Sequence, residues 1–227
     1  MEEKVGPTIK IKEEIILKRT IIVEGTGKVK AKPDLISLEF RLHSEDFDYE
    51  KAMGKSNSQY DKLTKGLKNA GFNKEDLKTK EMKVLTKYEQ EHDGRVYRQI
   101  FKGYEITYHL EIMFTFDLNR LNGLLGEIAA TGSTPEFSVL FLVSDDKELR
   151  NEALALATEE AKARGEVIAE AMGIKLGHIR KIKTLENGEG FPSRIEYPTM
   201  KMRTMNLDIT PQDVENVEKV QITFHIL

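Results

Sequence analysis

The chain contains no cysteine. Disulfides, thiolate metal sites and a cysteine nucleophile are therefore excluded. Tryptophan is absent too, and aromatic residues make up only 7% of the chain, so there is no obvious stacking platform. No excess of one charge exists either: 35 basic and 38 acidic residues are thoroughly mixed and leave a net charge of -3. A dedicated nucleic-acid binder gathers a basic excess on one face, and this balance argues against one. Long apolar runs are also missing. The N-terminal stretch offers nothing longer than Ile15-Ile16-Leu17, whereas a secretory signal needs about 7–15 apolar residues and a membrane span about 20. The sequence reads as a cytoplasmic protein with no membrane span, opening on a charged arm or edge strand over residues 1–18.

What is present fits one large domain or two small ones, long enough to bury about 70% of its unfolded surface, and is read as a single domain over 19–227. From Ile22 to Lys32, Val23, Gly25, Gly27, Val29 and Ala31 alternate with Glu24, Thr26 and lysines, the period of a strand with one wet face. After Pro33-Asp34 a second strand follows, with Ile36, Leu38, Phe40 and Leu42 on one side; it is expected to lie antiparallel to the first. Tyr49, Met53, Tyr60, Leu63, Leu67 and Ala70 form one helical stripe ended by Gly71. Strands at about 79–89 and 100–116 flank Asp93-Gly94, a strong hairpin signal, and the long return strand is expected to align Ile100, Tyr104, Ile106, Tyr108, Leu110, Ile112, Phe114 and Phe116.

A short helix at Leu118–Ile128 stops at Gly132, and "FSVLFLV" (137–143) reads as a central strand, apolar on both faces. Asp145 and Glu148 form a capping-box variant that opens the longest helix. This helix runs to Met172 and Gly173, with Leu149, Ala153, Leu156, Ala157, Ala161, Ile168 and Ala171 facing inward. Strands at 178–185, 200–209 and 217–226 close the chain, the last turning Val220, Ile222, Phe224 and Ile226 inward. Hairpins outnumber βαβ crossovers. The expectation is an α+β fold of mainly antiparallel sheet with two or three helices packed on one face.

Chemical motifs are scarce. "VEGTGKV" (23–29) resembles a phosphate loop but lacks the preceding glycine, the Ser or Thr after Lys28 and the following helix. Its two glycines are better explained by a helix approaching closely over them. The five histidines, at 43, 92, 109, 178 and 225, show no metal-ligand spacing and read as solvated; no metal or cofactor is expected. No G-x-S-x-G or S-x-x-K motif occurs. Glu24, Asp34, Glu39, Glu105 and Glu111 read as the wet face of a sheet beside Lys28, Lys30 and Arg41, and a small-ligand or enzymatic site on that face together with the 186–199 loop is the alternative function. Methionines such as Met53 and Met113 fall in helix or strand patterns that assign them to packing. The candidate interaction surface is Tyr88 and Tyr97 near the hairpin tip, with Phe191, Arg194 and Tyr197 on the Gly/Pro-bearing stretch 186–199, because these residue types are enriched at interfaces.

"VEGTGKVKAKPD" (23–34), Gly103-Tyr104 at the head of a long strand, the Ala153, Ala157, Ala161 spacing and "AEAMGIKLG" (169–177) occur in an order that resembles the SIMPL-domain family. Its members are often named oxidative stress defence proteins or proteins of unknown function. The resemblance implies a non-catalytic α+β protein, a tendency to self-assemble, and relatives that are often exported; it carries over no site residue. The functional expectation is a non-enzymatic, homo-oligomeric protein serving in stress protection or as an interaction scaffold.

Overall fold

A computed structural model of the chain describes residues 19–92, 97–185, 193–196 and 210–227. The elements run β1 (Thr20–Ala31), β2 (Leu35–Asp46), α1 (Tyr49–Asn69), a single 3-10 turn (Lys74–Asp76), β3 (Lys78–His92), β4 (Tyr97–Thr115), α2 (Leu118–Ala130), β5 (Glu136–Leu142), α3 (Asp146–Ala171), β6 (Leu176–Leu185), β7 (Ser193–Glu196) and β8 (Val214–Ile226). The fold is α+β with antiparallel sheets, as the sequence implies. The strands form two sheets, ordered β3-β4-β2-β5-β7 and β1-β8-β6, and each sheet belongs to its own compact unit. The expected arm at 1–18, the Asp93-Gly94 turn and the expected strand at 200–209 lie outside the described residues. The stretch expected as one loop over 186–199 contains β7.

One expectation fails at the start of the chain. β1 and β2 do not pair, because Pro33 and the Asp34 turn send them into different sheets. The Asp34 carboxylate accepts hydrogen bonds from the Ser144 hydroxyl at 2.5 Å and the Ser144 N–H at 2.7 Å, and the hydroxyl bond is the main reason its pKa lies below the ordinary range.

In the five-stranded unit, strand alternation puts Ile36, Leu38, Phe40 and Leu42 on one face of β2, where they pack with Leu110 and Ile112 of β4, Leu63 and Leu67 of α1, and Leu121, Leu124 and Ile128 of α2. All are buried, each contributing about 1.5–3 kcal/mol relative to exposure. Asp48 opens α1 and Asp117 opens α2, each carboxylate accepting two backbone N–H bonds of the first turn, which satisfies otherwise orphaned donors. β2 pairs along its whole length with β4 but only from Leu35 to Arg41 with β5. Beyond Arg41, α1 covers the open edge: Gln59 Nε2 donates to the His43 carbonyl at 3.1 Å and Lys55 Nζ to the Glu45 carbonyl at 3.0 Å.

In the three-stranded unit, β1 and β8 run antiparallel, tied by Ile226 N–H to the Arg19 carbonyl at one end and Lys30 to Glu215 at the other. α3 lies directly on β1. A Cβ at Gly25 would sit 2.0 Å from the Ala157 carbonyl oxygen, and one at Gly27 would sit 1.8 Å from that of Ala153. The glycines of "VEGTGKV" therefore make room for a helix backbone, as the failed phosphate-loop pattern suggested. The same helix closes the edge of β1, since Thr26 N–H donates to the Glu160 carboxylate and Arg164 Nη1 donates to the Glu24 carbonyl at 3.0 Å. Chiefly because of the Thr26 N–H bond, the Glu160 carboxyl is held below its usual pKa.

The buried stripe of α3 is Leu149, Ala153, Ala157, Ala161, Gly165 and Ala169, a strict four-residue repeat of mostly small side chains. Leu156, Ile168 and Ala171, expected to face inward, are exposed. The error has a physical cause: close approach to β1 selects the small row, whereas hydrophobicity alone favoured the larger residues beside it.

Gly25→Ala or Gly27→Ala forces backbone apart and should destabilise the protein by about 3 kcal/mol or more. Gly123→Ala, at an exposed α2 position with open space around the added Cβ, should instead stabilise it by about 0.5–1 kcal/mol. Urea unfolding of the three variants measures both signs, and a neutral Gly25→Ala would show that α3 does not pack as described.

Candidate functional site

The other face of β2 carries Ser37, Glu39, Arg41, His43 and Glu45. Register places Glu39 directly opposite Glu111, Arg41 opposite His109 and Glu45 opposite Glu105. Two carboxylates facing each other across strands repel, and a bulge resolves the conflict. Between Thr79 and Glu81 the β3–β4 register slips by one residue, and the extra residue is Lys80, whose Nζ lies 2.7 Å from Glu39 Oε1 and 2.9 Å from Glu111 Oε1. Such re-aiming of a side chain is what a bulge does. Ser37 Oγ donates to Glu111 at 2.6 Å.

Partial burial alone would lower the pKa of Lys80, but the hydrogen bonds and charges of Glu39 and Glu111 outweigh it and hold it above the usual lysine value. A lysine kept protonated in this way is neither a base nor a carbonyl nucleophile. Around it Arg41 is ion-paired with Glu136 at 3.2 Å and Lys87 with Glu45 at 2.8 Å, and His43 Nδ1 lies 3.4 Å from Glu105 Oε1. Lys87, through a hydrogen bond and its charge, lowers the pKa of Glu45.

The wet face expected from the sequence is thus divided between the two sheets. Glu39, Arg41, Glu105 and Glu111 belong to the five-stranded one, Glu24, Lys28 and Lys30 to β1, and Asp34 to the connecting turn. A hollow of about 630 Å³ opens where β5 stops, lined by residues that include His43, Glu45, Lys55, Gln59 and Lys62. Among the described residues, no group of three or more His, Asp or Glu is placed to hold a metal ion. His225, expected to be solvated, instead stacks on His178 with ring centroids 5.3 Å apart, and its Nδ1 is buried.

A second bulge shapes the hairpin. Lys87 pairs with Gly103 but Tyr88 pairs with Phe101, so β4 carries one extra residue there, and Gly103 adopts φ +124°. A Cβ on Gly103 would lie 2.4 Å from the Asp46 carbonyl oxygen; the glycine lets β4 press against the end of β2. The slip brings Phe101, rather than the expected Ile100, beside Tyr104, at 5.4 Å between centroids. Phe47 then meets Phe101 at 5.1 Å, Tyr88 meets Phe101 at 5.7 Å, and Tyr49 meets Tyr104 at 5.5 Å, each edge-on.

This chain of five rings is the densest aromatic feature among the described residues. It is open to solvent, with Phe47 68% and Tyr88 53% exposed. Of the residues singled out from sequence, Tyr88 is part of it. Tyr97, also exposed, lies further out, paired with His92. Arg194 falls in β7, and the structure describes no side chain for it; Phe191 and Tyr197 lie outside the described residues. Phe47, Tyr49, Phe101 and Tyr104 were missed. The available signal was Phe47 immediately before the Asp48 cap, a position that usually packs on the fourth helical residue. That residue is Ala52, too small to engage the ring, and Phe47 turns to Phe101 instead.

The relatives include the uncharacterized protein YggE of Edwardsiella ictaluri (strain 93-146), 22% identical over 210 residues that make up 91% of this chain and 86% of that protein. They also include the 26 kDa periplasmic immunogenic proteins of Brucella melitensis biotype 1 and Brucella abortus (strain S19), each 24% identical over 166 residues, 73% of this chain and 66% of theirs. The family model described as SIMPL, protein of unknown function (DUF541), matches residues 21–224. The chain therefore belongs to the SIMPL (DUF541) family.

Proposed function

We propose that this is a non-enzymatic protein that associates with copies of itself and acts as an interaction scaffold, its contact surface centred on the aromatic cluster of Phe47, Tyr49, Tyr88, Phe101 and Tyr104. The observation that carries the reading is the exposure of Phe47, Tyr49 and Tyr88 despite their packing against the half-buried Phe101 and Tyr104. A rigid, half-dry aromatic group is the type of surface that anchors protein contacts. Charge neutralisation across the polar sheet face supports it further: Lys80 is held protonated between Glu39 and Glu111, which suits a scaffold better than acid–base chemistry. The Brucella relatives carry a periplasmic name, and this favours an envelope role over the cytoplasmic one expected from the sequence. Fractionation of cells expressing the native gene product separates the two, by recovery in the osmotic-shock or the spheroplast fraction.

Light scattering at micromolar concentration should give a mass that is a multiple of 25.9 kDa, and Phe47→Ser with Tyr88→Ser, both at exposed positions, should return it to the monomer. A monomeric wild type, or an oligomer indifferent to the double substitution, would overturn the self-association. Removing residues 1–18 in parallel measures whether the arm contributes to assembly.

The stress-protection reading has its own support. Met82, Met113 and Met172 are exposed, which corrects the packing role expected for Met113, and a thioether open to solvent takes up oxidant to give a reversible sulfoxide. Under limiting hydrogen peroxide these three should be oxidised before Met53, with the fold retained by circular dichroism. Peptide mass mapping showing uniform oxidation, or loss of structure at the first equivalent, would remove this reading.

A further inference from the structure

In the three-stranded sheet α3 covers β1, and among the described residues it approaches β6 at Leu176, which lies with Phe224 of β8 against Gly165. The core face of the sheet nevertheless continues onto β6. Ile179 is paired with Phe224 and Ile182 with Ile222. Both partners are buried, yet Ile179 is 49% and Ile182 55% exposed. The opposite face of the same strand is cationic, with Lys181 paired with Thr223 and Lys183 with Gln221, and Arg180 at the bulge between Ile179 and Lys181. Among the described residues, none of Lys175, Arg180, Lys181 or Lys183 is ion-paired with an acid, and no strand pairs with the outer side of β6.

We infer that β6 is an acceptor edge for an extended acidic peptide segment of a partner protein, which adds as a further strand. Strand addition supplies backbone hydrogen bonds for affinity, while alternate side chains supply selectivity. Here the two alternations are already set: aliphatic residues of the incoming strand extend the Ile179–Ile182 surface, and acidic residues, at every second position, face Lys181 and Lys183. Lysines on an edge strand are a known defence against association. They repel a second copy of this same basic strand and leave an acidic one acceptable, which turns the defence into a filter. A nucleic acid would use the charge but neither the isoleucines nor the backbone edge.

The surface shares no residue with the aromatic cluster, so this inference and the proposed self-association fail or stand independently. The test uses the full-length protein and a fluorescein-labelled peptide of alternating Glu and Val, about ten residues long to match β6. Fluorescence anisotropy should show saturable binding, with the matching Lys-Val peptide at least tenfold weaker. Lys181→Glu with Lys183→Glu should reverse that preference, and Ile179→Ser with Ile182→Ser should weaken the Glu-Val peptide at least tenfold; all four positions are exposed, and circular dichroism checks the fold. Equal affinity for the two peptides, no binding at millimolar peptide, no effect of the serine substitutions, or tighter binding of oligo-dT than of the Glu-Val peptide would each overturn the inference.

Discussion

The seat of α3 on β1 decides most of what the three-stranded unit can do. With Gly25 and Gly27 beneath it, the helix comes so near that its own carbonyls, at Ala153 and Ala157, form the contact surface. Such an approach removes side chains from the interface, and what is lost in buried hydrocarbon is replaced by the fit of backbone on backbone and by the Thr26–Glu160 and Arg164–Glu24 hydrogen bonds along the edge. It also fixes where the helix is not. A helix about 10 Å across held over β1 cannot cover all three strands spaced about 4.8 Å apart, and among the described residues the strand left open is β6.

The five-stranded unit meets its constraints with bulges. The Glu39–Glu111 opposition would be unfavourable in a regular ladder, and the slipped residue Lys80 makes it a three-charge group with matched hydrogen bonds. The slip at Gly103 likewise turns Phe101 to the side of Tyr104 and opens a seat for Phe47. In both places one extra residue converts an ordinary alternating strand into a specific local arrangement. The first is electrostatically quiet, and the second leaves aromatic surface in water, which is why the second is the more informative about function.

These bulges also mark the limit of what could be read in advance. Whereas β7 arises within a stretch that reads as loop, the order of strands and helices from β1 to β6, the helix stops at Gly71, Gly132 and Gly173, the Asp145 cap and the closely packed glycines of β1 all follow from rules that act within a few residues. Sheet membership does not: β1 and β2 are adjacent in sequence with matching periods, yet the Asp34–Ser144 turn separates them. A slip of one residue is equally silent, because Ile100 and Phe101 are both plausible inward residues until the position of the bulge is known. The aromatic cluster drew on four segments, and only Tyr88 stood out by itself. Small-residue selection along α3 was half legible: the Ala153, Ala157, Ala161 spacing was visible, but Leu156 and Ile168 outweighed it on hydrophobicity alone.

The open edges show a graded response to one hazard. Along β1, α3 supplies a carboxylate for a strand N–H and a guanidinium for a strand carbonyl; along the far end of β2, α1 does the same for carbonyls with Gln59 and Lys55. In both cases a helix satisfies the backbone, so another strand would have to displace existing bonds. Among the described residues β6 is guarded differently, by Arg180, Lys181 and Lys183 and by two register shifts, with Ile179 and Ile182 exposed. Hydrogen bonding to a helix excludes every strand alike, whereas charge excludes only strands of the same sign. An edge protected by charge is therefore selective where an edge protected by a helix is closed, and that difference sets β6 apart from the covered edges of β1 and β2.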